Sequence, residues 1–297
     1  MASQTQLAVR AATVGRVSPR LRLGRACLYL VATLLAAVLM VPFFWTLGSA
    51  LKRSIEMYVF PPLLFPAEPQ WGNFVRVWTE VPFDKWLLNT VVVVVLATTG
   101  TVLSSSLVAY SFARFRYPGR ELIFLGALST MMLPTEVTLI PTYLMYNYVG
   151  WLDTFLPLIV PTWFGTSAFN VFLLRQFFLT IPPDLDESAK IDGADTLRIL
   201  WSILIPLSKP ALGTVAVLSF IWEWSNFMFP LIILSSPENY TLALGLRYFQ
   251  QMVDLQSEPR DHLLMAASLM VSLPTLTIFF LTQKYFVRSI VMTGLKG

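Results

Sequence analysis

Residues 183–195 read PDLDESAKIDGAD, and they form an acidic stretch between long hydrophobic segments of a basic chain. From Asp184 to Arg198 there are five acidic residues against two basic ones, which gives a local net charge of −3. Cytoplasmic loops of membrane proteins usually carry an excess of Lys and Arg instead. We therefore interpret this stretch as a docking surface for a partner outside the chain.

The segments on either side identify the class of protein. Of the 297 residues, 56% are hydrophobic and 13% are charged, and the mean hydropathy is +0.65, whereas soluble domains carry roughly 25% charged residues. A helix that crosses a bilayer needs about 20 mostly apolar residues, because its backbone polar groups must be satisfied within the span. Six segments meet this requirement, namely 27–50, 86–112, 122–146, 154–174, 212–234 and 263–286. The sequence therefore predicts an all-α membrane protein with six transmembrane helices.

The distribution of basic residues predicts the topology. An even number of spans puts both termini on one side, and a cytoplasmic assignment places 15 of the 21 Lys and Arg residues inside, as positive flanks require. Residues 1–26 and 287–297 are then cytoplasmic tails, 51–85 is extracytoplasmic, and 86–286 forms a core with five spans. This bias also explains the isoelectric point near 9.2, so nucleic acid is not an expected partner. A cleaved signal is the alternative for the first span, but its apolar run exceeds the roughly 7 to 15 residues of a signal.

Two short helices are expected within the acidic stretch. Pro183 can begin the first helix, and the acidic residues of its first turn favour the positive end of the helix dipole. Gly193 suits a left-handed C-terminal cap, after which Asp195 or Thr196 can cap a second helix. The apolar side of the second helix can then lie on the bundle and leave the acidic first helix facing outward.

The same stretch resembles the EAA loop of bacterial ABC importer permeases. The resemblance is carried by Glu187-Ser188-Ala189, Asp192-Gly193-Ala194, Ile205-Pro206-Leu207 and Pro210, with Ser188 in place of the second Ala of the pattern. In that family the loop inserts into a cleft on a cytoplasmic ATPase. The resemblance implies that residues 182–210, called the coupling loop below, couple the chain to the ATPase. The implied docking residues are Glu187, Ser188, Ala189, Asp192, Gly193 and Ala194.

Other segments resemble the carbohydrate-uptake branch that includes the second maltose permease subunit, namely 132–141, 175–178, 224–227 with 230–231, and 294–297. The resemblance implies the type I ABC importer permease fold in the bacterial inner membrane. It also implies a second permease subunit, two ATPases, an extracytoplasmic solute-binding protein and a sugar substrate. The sequence has no Gly-Lys-Ser/Thr of a P-loop, so we expect no cofactor here and ATP with Mg in the ATPase.

Charged residues within the predicted spans are candidates for the translocation pathway. Glu223 lies between two tryptophans, one of them Trp222, and Asn226 follows it, while Glu136 lies in the third span. A carboxylate is costly to expose to lipid and should face a cavity or a partner. Trp rings and amides would suit a sugar, although membrane aromatics more often serve as anchors. Glu136 has the alternative of hydration near the outer surface.

Two other functions compete with import driven by ATP. An ion-coupled secondary transporter could use Glu136 and Glu223 as cation sites, but this leaves the acidic loop unexplained and no inverted repeat supports it. A membrane enzyme is not indicated, because His262 is the only His, Cys27 the only Cys, and no nucleophile and base pair is evident. His262 is expected to be a hydrated boundary residue.

Overall fold

The computed structural model describes residues 19–165, 167–251 and 259–294, and the regular secondary structure of these residues is helical. Residues 1–18 of the predicted N-terminal tail and residues 295–297 of the predicted C-terminal tail lie outside the described residues. The α-helices, numbered α1 to α14 in chain order, are Pro19–Ala50, Gly72–Glu80, Phe83–Arg114, Arg120–Ser129, Thr135–Tyr148, Leu156–Ile159, Ala168–Thr180, Asp184–Ile191, Thr196–Ile199, Ile205–Leu207, Lys209–Ser225, Met228–Ile233, Leu242–Gln251 and Asp261–Gly294. Four 3-10 turns, at Ser54–Tyr58, Thr130–Met132, Val160–Phe164 and Pro237–Asn239, and a π turn at Leu200–Leu204 complete the helical structure of the described residues.

The helices provide four candidate membrane spans and two bent pairs. Four are long and apolar enough to cross a bilayer: Cys27–Ala50, Phe83–Arg114, Leu156–Thr180 and Asp261–Gln283. Two further pairs reach that length only when both halves are counted. The described residues therefore contain four to six candidate spans, which agrees with an all-helical membrane protein.

The predicted third span, 122–146, is sharply bent. Arg120–Met132 and Thr135–Tyr148 meet at 100°. Pro134 has no N–H to donate to a helix, and it forces the preceding Leu133 toward extended backbone, where its φ and ψ are −79° and 122°. The helical hydrogen bonds therefore end at this point.

The predicted fifth span, 212–234, consists of two helices. Lys209–Ser225 ends at Asn226, whose backbone is extended, and Met228–Ile233 begins after Phe227. At the other end of the span, the second part of the coupling loop, Thr196–Leu207, bends by 82° into Lys209–Ser225.

Helix α3 lies at the centre of the bundle, where it packs against α7 and α11. Its small residues Ser104, Ser105, Ser106 and Ala109 are all buried, and residues of this size let helix backbones approach closely in lipid. Gly100 of this helix lets the turn Val160–Phe164 approach closely. A Cβ at this position would lie 2.6 Å from the Trp163 ring and 2.7 Å from Thr162 Oγ1.

The segment 51–85 contains two short helices, Ser54–Tyr58 and Gly72–Glu80. Both pack against helix α14 near its start, and Ser54 donates a hydrogen bond to the carbonyl of Pro259. This packing covers His262, which is 2% exposed. The expectation that His262 is hydrated was therefore wrong.

Candidate functional site

Two adjoining cavities lie beside the bent helices, with volumes of about 600 Å³ and about 660 Å³. Both are lined by Thr135, Thr162, Trp222 and Glu223. We treat them together as the central cavity.

Three interruptions of helical structure border the central cavity. They are the break at 133–134, the turn Val160–Phe164, which ends at Gly165 with φ of 69°, and the break at 226–227. Interrupted backbone within a membrane is tolerated where it lies inside protein or lines a water-filled cavity, since lipid cannot hydrogen-bond the freed groups. The breaks therefore indicate that this region lies inside protein or lines a water-filled cavity.

The four predicted pathway residues come together here. Glu136, Trp222, Glu223 and Asn226 all line the first cavity, and Trp222 and Glu223 also line the second. The backbone N–H of Asn226 donates a hydrogen bond to the carbonyl of Glu223 over 3.4 Å. Glu136 lies in the first turn of helix α5, where the helix dipole favours a negative charge. Residues from two separate predicted spans thus share one wall.

The two tryptophans beside Glu223 differ in environment. Trp222 is 69% exposed on the cavity wall, whereas Trp224 is buried. The Trp224 ring stacks on Phe220, and its Nε1 donates to the carbonyl of Val271 over 2.9 Å. Trp224 is therefore a packing residue, and Trp222 is the ring available to a ligand.

Several polar residues of the cavity were missed by the sequence reasoning. Thr135 and Thr162 line both parts, and Asn170 and Ser219 line the second part, where Asn170 Nδ2 donates to Ser219 Oγ over 3.3 Å. Asn170 could have been identified from the sequence, because an amide in an apolar span needs a hydrogen-bond partner on another helix. Thr135 and Thr162 could not, since threonine is common in such helices.

The cavity wall is open on one side in the isolated chain. Glu136 is exposed, as are Trp222 and residues 131–135. Carboxylates on an open face of a membrane helix are costly against lipid. Either water or another protein surface must therefore meet this face.

The coupling loop has the local structure that its sequence predicted. The first helix is Asp184–Ile191, Gly193 adopts the left-handed conformation with φ of 80°, and the Asp195 side chain accepts a hydrogen bond from the backbone N–H of Arg198 over 2.7 Å. These caps follow from the few residue types that tolerate positive φ or accept at a helix start.

The six predicted docking residues do not share one environment. Glu187, Ser188, Asp192 and Gly193 are exposed, Ala194 is half-buried, and Ala189 is buried against the bundle. The exposed four can contact a partner directly, whereas Ala189 can only position the helix that carries them.

An ion pair that the sequence reasoning missed anchors the coupling loop. Arg114 Nε, at the end of helix α3, lies 2.8 Å from Asp186 Oδ2, and the two side chains are 10% and 8% exposed. Arg114 Nη2 also donates to the carbonyl of Ile181 over 3.0 Å. Among the acidic residues of the first loop helix, Asp186 alone is buried. The loop is thus fixed to the central helix at its base while its outer face stays free.

At the opposite end of the bundle, Asp153 connects two loops. Its Oδ1 accepts hydrogen bonds from the backbone N–H groups of Ser235 and Ser236, each over 3.0 Å, and its Oδ2 accepts one from the Ser236 hydroxyl. Burial alone would raise the pKa of this carboxyl, but these bonds and one from the Asn239 amide lower it to about 2. The ionised form therefore holds the 235–239 loop in place.

This arrangement predicts a stability that depends on pH. Because the folded pKa of Asp153 lies below its ordinary value, its contribution is fully present above about pH 4 and is lost as the pH falls toward about 2. Asp153→Asn should lower the melting temperature at neutral pH, and the difference from the wild type should shrink below about pH 4. Asn is a matched replacement, because it tolerates the φ of 57° found here. A difference that is independent of pH would contradict the role of the charge.

Comparisons with known proteins agree with this arrangement. The family described as "Binding-protein-dependent transport system inner membrane component" matches residues 11–292. The chain is 33% identical over 261 residues to the sn-glycerol-3-phosphate transport system permease protein UgpE of Yersinia enterocolitica, covering 86% of this chain and 91% of the relative. It is 32% identical to the arabinooligosaccharides transport system permease protein AraQ of Bacillus subtilis, covering 95% and 99%.

The fold is also that of a solved transporter. A chain of a bacterial ABC transporter involved in the import of the acidic polysaccharide alginate superposes with a TM-score of 0.80 at 23% identity, over 92% of this chain and 100% of that one. The resemblance to importer permeases that the coupling loop indicated is confirmed. The chain belongs to the family of inner membrane components of binding-protein-dependent transport systems.

Proposed function

We propose that this chain is a permease subunit of an ATP-driven importer that carries a carbohydrate across the bacterial inner membrane. A solute-binding protein delivers the substrate from outside, and a companion permease and two ATPases complete the complex. The chain crosses the membrane six times with both termini in the cytoplasm, as the distribution of basic residues favours. Family membership and the names of two relatives, one of which transports arabinooligosaccharides, support this assignment.

The observation that carries the proposal is the geometry of the coupling loop. Its first helix is anchored to helix α3 by the buried Arg114–Asp186 pair, and it presents Glu187 and Asp192 to the solvent. A surface that is rigid at its base and charged at its tip suits a partner that moves it as a unit. In the assembled importer, that partner is the ATPase.

Transport then requires two packed arrangements of the bundle, each favoured by one nucleotide state of the ATPases. Closure of the ATPase pair displaces the coupling loop, and the Arg114–Asp186 pair passes the displacement to helix α3, which packs on the turn that carries Thr162. ATP and Mg are bound and hydrolysed in the ATPase. This chain contributes the pathway and performs no catalysis.

The companion permease covers the open side of the central cavity. Glu136 and Trp222 face outward in the isolated chain, and a second subunit on this face would remove both from lipid. The sugar would then pass between the two subunits, with Trp222, Glu223 and Asn226 on the wall formed by this chain.

A second candidate function is supported by one observation. Glu136 and Glu223 line the same cavity, as an ion-coupled secondary transporter would require. This alternative gives no role to the coupling loop. Its energy source differs, so the two functions are separable by experiment.

The test is uptake into proteoliposomes that contain the assembled complex. The cognate binding protein is supplied on the extracytoplasmic side and ATP on the side of the ATPases. We expect uptake to stop when ATP is omitted and to continue when a protonophore collapses the proton gradient. A vanadate-treated sample is the matched control for ATP hydrolysis. Uptake that survives ATP depletion and stops with the protonophore would establish the secondary transporter instead.

A further inference from the structure

The wall of the central cavity that this chain forms contains acidic side chains and, among the described residues, no basic ones. Its lining includes two carboxyl groups, Glu136 and Glu223, and none of the described residues that line either part is Lys, Arg or His. The remaining polar side chains are hydroxyls, the amides of Asn170 and Asn226, and the indole of Trp222, and the exposed rings of the lining are Trp222 and Phe169.

These groups suit one class of substrate. Carboxylates accept hydrogen bonds and donate none when ionised, so they pair with the hydroxyl groups of a sugar. Asn226 and Thr162 can both donate and accept, and an exposed indole ring can lie against the apolar face of a sugar ring. A phosphate or carboxylate ligand needs cationic donors, typically the fork of an Arg, and this wall supplies none.

We propose that the importer carries an uncharged polyhydroxy substrate and that Glu136 and Glu223 disfavour anions in its cavity. This inference rests on the proposed function and goes further by assigning the charge class of the substrate. Carboxylates in a cleft, when ionised, lower the local concentration of anions by electrostatic focusing. An anionic sugar or sugar phosphate would meet that repulsion on this wall with no compensating group.

Cavity electrostatics can be measured without knowing the substrate. The chain has a single cysteine, Cys27, so Cys27→Ser leaves a background for one introduced thiol. Thr162→Cys introduces that thiol at a position that lines both parts of the cavity. This position is distant in the sequence from both Glu136 and Glu223. The probes are a cationic and an anionic methanethiosulfonate reagent of similar size, applied to the assembled complex in membranes.

We expect the cationic reagent to react faster than the anionic one by roughly tenfold, after normalisation to the rates of a free thiol. In the Glu136→Gln/Glu223→Gln background the ratio should fall to within about twofold of the free-thiol value. A ratio at or below the free-thiol value in the wild-type background would overturn the proposal, because the companion wall would then compensate the charge. A tenfold ratio that persists in the double Gln variant would overturn the assignment to these two residues.

The result is distinct from the test of the proposed function. Loss of uptake on ATP depletion concerns the energy source, whereas the reagent ratio concerns only the potential in the cavity. If the cationic reagent reacts no faster than the anionic one while uptake still requires ATP, the chain is an importer subunit and the companion permease sets the charge of the substrate. If the ratio is tenfold but the proton gradient drives uptake, the assignment of charge to the cavity holds and the proposed ATP-driven import is wrong.

Discussion

Replacing Gly193 by proline should abolish the co-purification of the ATPase with this chain, while the variant still inserts into the membrane. Gly193 has a φ of 80°, and its N–H donates to the carbonyl of Lys190 over 3.0 Å. Proline fixes φ near about −65° and has no N–H, so neither feature survives. The turn between the two loop helices would open, and the exposed face of the first helix would lose its orientation toward the ATPase.

The matched control at this position is Gly193→Asn. Asparagine tolerates the left-handed conformation and retains the N–H, at a cost of roughly 1 kcal/mol. A Cβ at this position meets no atom within 4 Å, so the substitution introduces no clash. The Asn variant should therefore keep most of its ATPase, and equal loss in both variants would indicate that Gly193 itself touches the partner.

A charge reversal tests the exposed surface independently of the turn. Glu187→Lys should weaken co-purification strongly, because Glu187 is exposed in the middle of the first loop helix and is one of the implied docking residues. Asp184→Lys changes the net charge by the same amount on the same helix, also at an exposed position. A larger effect at Glu187 indicates a specific contact. Retention of the ATPase in both variants would argue against docking through this face.

Local structure followed closely from the sequence wherever single residues dictate backbone conformation. Gly193 and Asp195 occupy the caps expected of them, because few residue types accept positive φ or bond a helix start. The interior position of helix α3 was predictable for a similar reason, since serine and alanine at close spacing allow backbones to approach in lipid.

The breaks in the predicted spans were harder to place. Pro134 marks a break in the third span, but a proline alone does not determine whether its helix bends slightly or turns by 100°. The break at Asn226 and Phe227 contains no proline, but Pro230 lies four residues after Asn226 and has no N–H to donate to the Asn226 carbonyl. The sequence therefore offers a reason for a break here without fixing its size.

The Arg114–Asp186 ion pair also could not be predicted from the sequence. Asp186 belongs to a run of acidic residues and Arg114 to a run of basic ones, so the sequence singles out neither from its neighbours. The pair joins residues 72 positions apart, and only the fold brings them within 2.8 Å. A buried member of a charged run is indistinguishable from its exposed neighbours until the packing is known.

This pair supports the second prediction of large effect, which is that Asp186→Ala destabilises the chain by about 3–5 kcal/mol. The substitution leaves the Arg114 guanidinium only 10% exposed and without its counter-charge, and an unpaired buried charge is far more costly than a missing bond. The measurement is the thermal denaturation of the purified chain in detergent. Asp184→Ala is the control, because Asp184 is exposed on the same helix and its loss should change the melting temperature little.

Replacing both partners separates stability from coupling. Arg114→Met with Asp186→Leu removes both charges, and well-packed apolar pairs often restore the stability that a buried ion pair provides. The wild-type pair is also incompletely bonded, since Asp186 Oδ1 has no hydrogen-bond partner in the part of the chain that the structure describes. We therefore expect the double variant to recover most of the melting temperature lost in Asp186→Ala.

Coupling should not recover to the same extent. An apolar contact has no preferred direction, whereas the ion pair and the bond from Arg114 to the carbonyl of Ile181 fix the loop helix relative to helix α3. The double variant should thus bind the ATPase and hydrolyse ATP while importing less substrate per ATP than the wild type. Because Arg114 and Asp186 lie at the base of the loop and away from its exposed face, a normal import-to-ATP ratio in a fully stable double variant would reduce the pair to a structural anchor. A lowered ratio at full stability would identify it as the element through which the ATPase moves the membrane helices.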